Sequence, residues 1–122
     1  MPNKNYDRGF AFENKLVRYL RDCGWYATRT AGSHTAADVV GITPYGVTYL
    51  FQCKTNKTEI VLTDLFNDVS VFLLRRINEV VAKIIAIRVG TGRDYIVKFY
   101  RFHNVLHQWQ EINDFADFKP RV

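Results

Sequence analysis

Apolar residues recur at helical spacing over residues 7–23, where Phe12, Leu16, Leu20 and Cys23 fall on one stripe and Gly24 follows as a C-terminal cap. The period then shortens. Residues 25–31 read as a strand, Gly32-Ser33-His34-Thr35 as a small polar loop, and 38–42 as a second strand. Pro44-Tyr45-Gly46 marks a turn into a third strand, 47–54, which is apolar for most of its length and then abruptly polar. Thr63 caps a second helix running to about residue 79, with Asp64 in its first turn. Its inward stripe is Leu65, Phe66, Val69, Phe72, Leu73, Ile77 and Val80, while Val71 and Leu74 lie off that stripe and point to a partner surface. Residues 83–89 and 95–102 are two further strands around the glycine-bearing connection 90–94. The last twenty residues, with Leu106, Trp109, Ile112, Phe115 and Phe118, read as a short helix or a docked tail. The order predicts an α/β fold: a single domain, 1–122, around a central mixed five-stranded β-sheet flanked by helices.

Composition narrows the class. A chain of 122 residues fits one core, and 48% hydrophobic residues exclude a disordered or fibrous chain. The net charge of +5 favours an anionic partner, of which nucleic acid is the commonest, although charge alone equally fits a merely basic soluble protein. Cys23 and Cys53 both fall in apolar segments, which predicts buried free thiols in a reducing compartment. Residues 1–8 lack the apolar stretch of a signal peptide and no run is long enough to span a bilayer, so a cytoplasmic, intracellular protein without membrane association is expected. His103 and His107 stand four apart without the glutamate of an HExxH pattern, which argues against zinc catalysis, and no small-molecule cofactor motif is present.

The candidate chemistry lies where the third strand turns polar. Residues two apart in a strand share a face, so Gln52 and Lys54 point one way and Cys53 the other. The turn at 44–46 folds the third strand back so that 51–54 returns alongside Asp38. Glu13 borders the apolar face of the first helix, where a carboxylate needs a partner or a purpose. Phosphodiester cleavage uses a metal to polarise the phosphate and activate water, and Mg²⁺ prefers one or two carboxylates plus waters and substrate oxygens. Asp38 and Glu13 supply such carboxylates, and Lys54 beside them suits the scissile phosphate or the attacking water.

These residues resemble the PD-(D/E)XK nuclease superfamily and, within it, the archaeal (Hjc-like) Holliday junction resolvases. The likeness is an ordered set: Arg8-Gly9 and Glu13 in the first helix, Arg29, the Gly32-Ser33 loop, Asp38-Val39-Val40, and Phe51-Gln52-Cys53-Lys54. It spans roughly residues 8–90. It implies a restriction-endonuclease-like fold and a metal-dependent endonuclease cutting branched or double-stranded DNA as a homodimer that makes paired nicks. It further implies Mg²⁺, with Mn²⁺ as substitute, held by Asp38, the Gln52 side chain and the Cys53 backbone carbonyl, with Glu13 assisting. Ser33 would sit near the scissile phosphate, and Arg8, Arg29, Ser33, His34 and Lys57 would face DNA.

Two positions depart from the family pattern: Ala37 stands where proline precedes the aspartate, and Gln52 where the strand carries Glu or Asp. Glutamine keeps a carbonyl oxygen for a metal but removes a negative charge, which lowers metal affinity and gives Glu13 more weight. Methyl-directed (Mrr-like) restriction nucleases of the superfamily carry a similar Q-x-K. Two alternatives therefore stand beside the resolvase: a restriction or repair nuclease of the same superfamily, and a non-catalytic DNA-binding module on a decayed nuclease fold. For Glu13 the structural alternative is an ion pair with Arg29 or Lys54.

Overall fold

The computed structural model describes residues 4–30, 37–56, 71, 74–77, 80–91 and 94–118. Helix α1, Lys4–Asp22, forms because Phe12, Leu16 and Leu20 repeat every four residues, and all three are buried together with Val17. Burying each leucine contributes roughly 1.5–3 kcal/mol, so Leu20→Ala would be among the costlier core changes. The helix ends in a left-handed cap. Gly24 takes φ +87, its N–H donates to the Arg21 carbonyl at 3.0 Å, and the Trp25 N–H donates to the Leu20 carbonyl at 3.0 Å. Termination at Asp22 leaves Cys23 exposed, so the expected buried thiol is not found there: Cys23 lies past the last helical turn and off the stripe.

Six strands follow: β1 Tyr26–Arg29, β2 Val39–Ile42, β3 Thr48–Asn56, β4 Ala82–Thr91, β5 Asp94–His103 and β6 Gln108–Ile112. They form one sheet in the order β1-β2-β3-β4-β5-β6. All pairings are antiparallel except β3 with β4, which is parallel and makes the sheet mixed. A parallel neighbour requires a crossover. It occupies residues 57–81, where Val71, Leu74 and Arg75 are helical but Arg76 and Ile77, expected in the same helix, form a turn and a bend; positions 63–70, 72–73 and 78–79 of that expectation lie outside the described residues.

The sheet has a core on each face. Ile84 and Ala86 of β4 pack with Phe51, Phe99 and α1, whereas Ile85 and Ile87 pack with Val71, Leu74, Tyr100, Phe102 and Trp109. The alternation follows from the two-residue repeat of a strand buried on both faces. Val71 and Leu74 are therefore core residues at 0% exposure, which corrects the expectation that they offer a partner surface. Ile77 of the expected stripe packs, partly buried, against the same core, and Leu65, Phe66, Val69, Phe72 and Leu73 lie outside the described residues. Val80, assigned to the stripe, is exposed because it belongs to the turn leading into β4.

The sixth strand replaces the expected C-terminal helix. Trp109 faces one core and Ile112, three positions on, the other, as a two-residue repeat requires, but Gln110 and Glu111 between them are exposed, so the two apolar residues stand at a spacing that imitates a helix. Beyond it, Phe115 and Phe118 do dock as a tail, with ring centroids 4.9 Å and 5.8 Å from Phe99. Lys83 is the unexpected core residue. At 3% exposure its Nζ donates to the Arg75 carbonyl at 2.8 Å and lies 5.8 Å from the Phe102 ring, pinning the crossover helix end to β4. Among the described residues no helix is long and apolar enough to cross a membrane.

Candidate active site

The β2–β3 hairpin fixes the site. Val39 pairs with Phe51, so Asp38, one residue earlier, stands opposite Gln52, and its N–H donates to the Phe51 carbonyl at 2.7 Å. Two donors then converge on a single carboxylate oxygen: Gln52 Nε2 at 2.9 Å and the Cys53 N–H at 2.8 Å both meet Asp38 Oδ2. Gln52 is 6% exposed, and with its amide nitrogen turned to Asp38 its Oε1 is buried without a hydrogen-bond partner among the described residues. Such an acceptor carries a desolvation penalty unless something electropositive meets it.

From α1, Glu13 reaches the same end of the sheet, where its Oε1 lies 3.6 Å from Arg29 Nε of β1. The structural ion pair weighed from the sequence is therefore present. It does not neutralise the carboxylate's surroundings: burial and the nearby Asp38 charge raise the Glu13 pKa, with Arg29 opposing. Burial also raises the Asp38 pKa, opposed by the Cys53 N–H, Lys54 and Arg29. Two desolvated carboxylates that disfavour each other's charge, beside an unsatisfied carbonyl oxygen, form a donor set suited to a hard divalent cation. Among the described residues no group of three or more His, Cys, Asp and Glu is placed to hold a metal.

Glu13, Arg29, Asp38, Gln52, Cys53 and Lys54 are thus brought to one end of the sheet. Arg8 lies in α1, and its side chain is outside the described residues, as are Ser33, His34 and Lys57. Thr30 joins the chain on either side of the 31–36 segment: its N–H donates to the Asp38 carbonyl at 2.9 Å and its Oγ1–H to the Ala37 carbonyl at 2.6 Å. Sequence reasoning overlooked Thr30; a hydroxyl residue directly after a strand and before a polar loop was the available signal. His103 stands elsewhere, accepting the Leu106 N–H on Nδ1 at 3.0 Å within the β5–β6 turn.

Against this geometry, the family described as archaeal Holliday junction resolvase (Hjc) matches residues 4–70. The chain belongs to this family. Every residue of the candidate site lies inside the matched segment, so the Hjc family's segment and the Asp38-centred cluster coincide. Among solved structures, the Hjc Holliday junction resolvase of the archaeal hyperthermophile Archaeoglobus fulgidus shares the fold with a TM-score of 0.52. The match covers 92% of this chain and 98% of that one at 16% identity. No curated protein matches the sequence. The Hjc family is one of nucleases that resolve Holliday junctions, and the two-faced sheet with α1 beside the site is the frame on which this resolvase is built.

Proposed function

We propose that this resolvase is a Mg²⁺-dependent endonuclease acting as a homodimer on four-way DNA junctions, with Asp38 and Gln52 Oε1 as the centre of its cation site. The observation that supports this most is the Gln52 amide itself: its nitrogen donates to Asp38 Oδ2 alongside the Cys53 N–H, and its Oε1 is buried with no hydrogen-bond partner among the described residues. Glu13 and the Cys53 carbonyl complete the donor set, and Mn²⁺ substitutes for Mg²⁺. A bound cation would polarise the scissile phosphate and lower the pKa of the attacking water.

The chain's own groups do the rest. Lys54, close enough to Asp38 to stabilise its charge, presents an ammonium to the phosphate or to the water. Arg29, paired with Glu13 at the site's edge, would contact the DNA backbone, as would Arg8, Ser33, His34 and Lys57. Each chain carries one such site while a junction is resolved by two nicks, so two copies are required; with Val71 and Leu74 buried, the dimer surface must lie elsewhere.

The test is incubation with four-way, flapped and linear duplexes in Mg²⁺, Mn²⁺ or EDTA. Paired nicks confined to the junction, abolished by EDTA, are expected. Cutting of linear duplex would instead indicate a restriction or repair nuclease. Junction binding without any cutting would refute the enzyme reading in favour of a binding module.

A further inference from the structure

Gln52 departs from the acidic residue that the resemblance leads one to expect, and its surroundings give a reason other than decay. Its side chain shares a row with Ile85, its partner in β4, and Tyr100, Ile85's partner in β5, and is almost fully enclosed. Directly opposite stands Asp38. A carboxylate at residue 52 would set two acceptors against each other at the separation now spanned by a 2.9 Å hydrogen bond. An amide resolves the conflict because it carries a donor and an acceptor on one carbon. Its nitrogen donates to Asp38 Oδ2, and its oxygen is buried with no hydrogen-bond partner among the described residues. The Cys53 N–H lands on the same Oδ2 at 2.8 Å, so neither donor occupies Oδ1.

We propose that Gln52, beyond offering Oε1 to the cation site, positions Asp38: its amide nitrogen holds the carboxylate through Oδ2 and leaves Oδ1 to that site, so one neutral side chain stands in for an acidic ligand. The inference rests on the metal-dependent reading above. It differs from passive loss of a ligand, in which residue 52 would contribute nothing beyond a missing charge.

The experiment compares the full-length wild type with Gln52→Glu and Gln52→Leu. Thermal unfolding is followed in EDTA at neutral pH, Mn²⁺ binding to the protein alone by calorimetry, and junction binding and single-turnover cleavage in parallel. Gln52→Glu should melt roughly 4–10 °C below wild type in EDTA, because two enclosed acceptors then lack a donor between them. Saturating Mn²⁺ should recover most of that loss. Gln52→Leu should weaken Mn²⁺ binding by roughly ten- to a hundredfold, as loss of a group that orients a metal ligand does. Its single-turnover rate should fall while junction affinity in EDTA stays within about twofold, which also shows that the variant is folded.

A Gln52→Glu protein as stable as wild type in EDTA overturns the proposal, as does a Gln52→Leu protein with wild-type Mn²⁺ affinity and rate. Failure of the metal-dependent reading looks different: the wild type itself would neither bind Mn²⁺ nor cut.

Discussion

Asp38→Asn separates the stability of this domain from its chemistry, because the wild-type carboxylate is held at a cost. Burial raises its pKa by more than the Cys53 N–H, Lys54 and Arg29 together lower it, and Glu13 is pushed in the same direction partly by Asp38 itself. A carboxylate whose folded pKa lies above its unfolded value favours the folded state only below about its ordinary 3.8, and that contribution is lost as pH rises through the folded value. At neutral pH without metal, Asp38 therefore works against folding. Asparagine keeps an oxygen for the two donors now on Oδ2 and removes the charge, so Asp38→Asn should melt above wild type in EDTA. The difference between the two proteins should shrink as pH falls into the carboxylate range. A cation reverses the ranking. At tenfold over its Kd, Mn²⁺ binding only to the folded state adds about 1.4 kcal/mol, or roughly 5 °C for a domain of this size, to wild type and nothing to the variant. Junction cleavage by the variant should fall on the order of 10³-fold, the equivalent of several kcal/mol of transition-state stabilisation. Circular-dichroism melts across pH 4–8, with EDTA and with a Mn²⁺ series, measure all of this. A variant less stable than wild type in EDTA, or one that keeps the Mn²⁺ shift, would refute the assignment.

Three other outcomes follow from named contacts. Lys54→Met should lower the single-turnover rate roughly 10²–10³-fold while junction binding changes little, measured by quench-flow and gel shift. Gly41→Ala should destabilise by about 1–3 kcal/mol in urea, because an added Cβ would stand 3.0 Å from Trp25 Cε3 and 3.3 Å from Leu20 Cδ1, both in a packed core. Lys83→Ala removes the buried donor to the Arg75 carbonyl and the stem packed by Phe102; a loss of about 1–3 kcal/mol is expected in the same assay.

The parts of this protein that sequence revealed and those it hid differ by how local their causes are. Helix α1 and strands β2 to β5 were legible because their side-chain periods are set within a few residues, as Phe12, Leu16 and Leu20 or the Gly-bearing β4–β5 connection show. The facing of Val71 and Leu74 was not, because a helix with apolar residues on two sides acquires its phase only from the sheet it meets. Strand β6 was hidden because Gln110 and Glu111 are exposed, which leaves Trp109 and Ile112 as apolar residues three apart, a spacing that imitates a helix. Lys83 looked like a surface residue until the helix end it caps was placed.

For the site, the same division separates position from role. The strand register and the turn at 44–46 suffice to bring residue 52 opposite Asp38. What residue 52 does there depends on which of its atoms faces Asp38, and a glutamine has two answers. An ionised Asp38 accepts hydrogen bonds and donates none, so only the nitrogen can face it, which leaves the oxygen buried with no hydrogen-bond partner among the described residues. The acid in the neighbouring strand thus dictates the orientation of the amide. A residue that reads as a missing charge in the linear motif becomes, in the folded sheet, the group that orients the one carboxylate the motif retains.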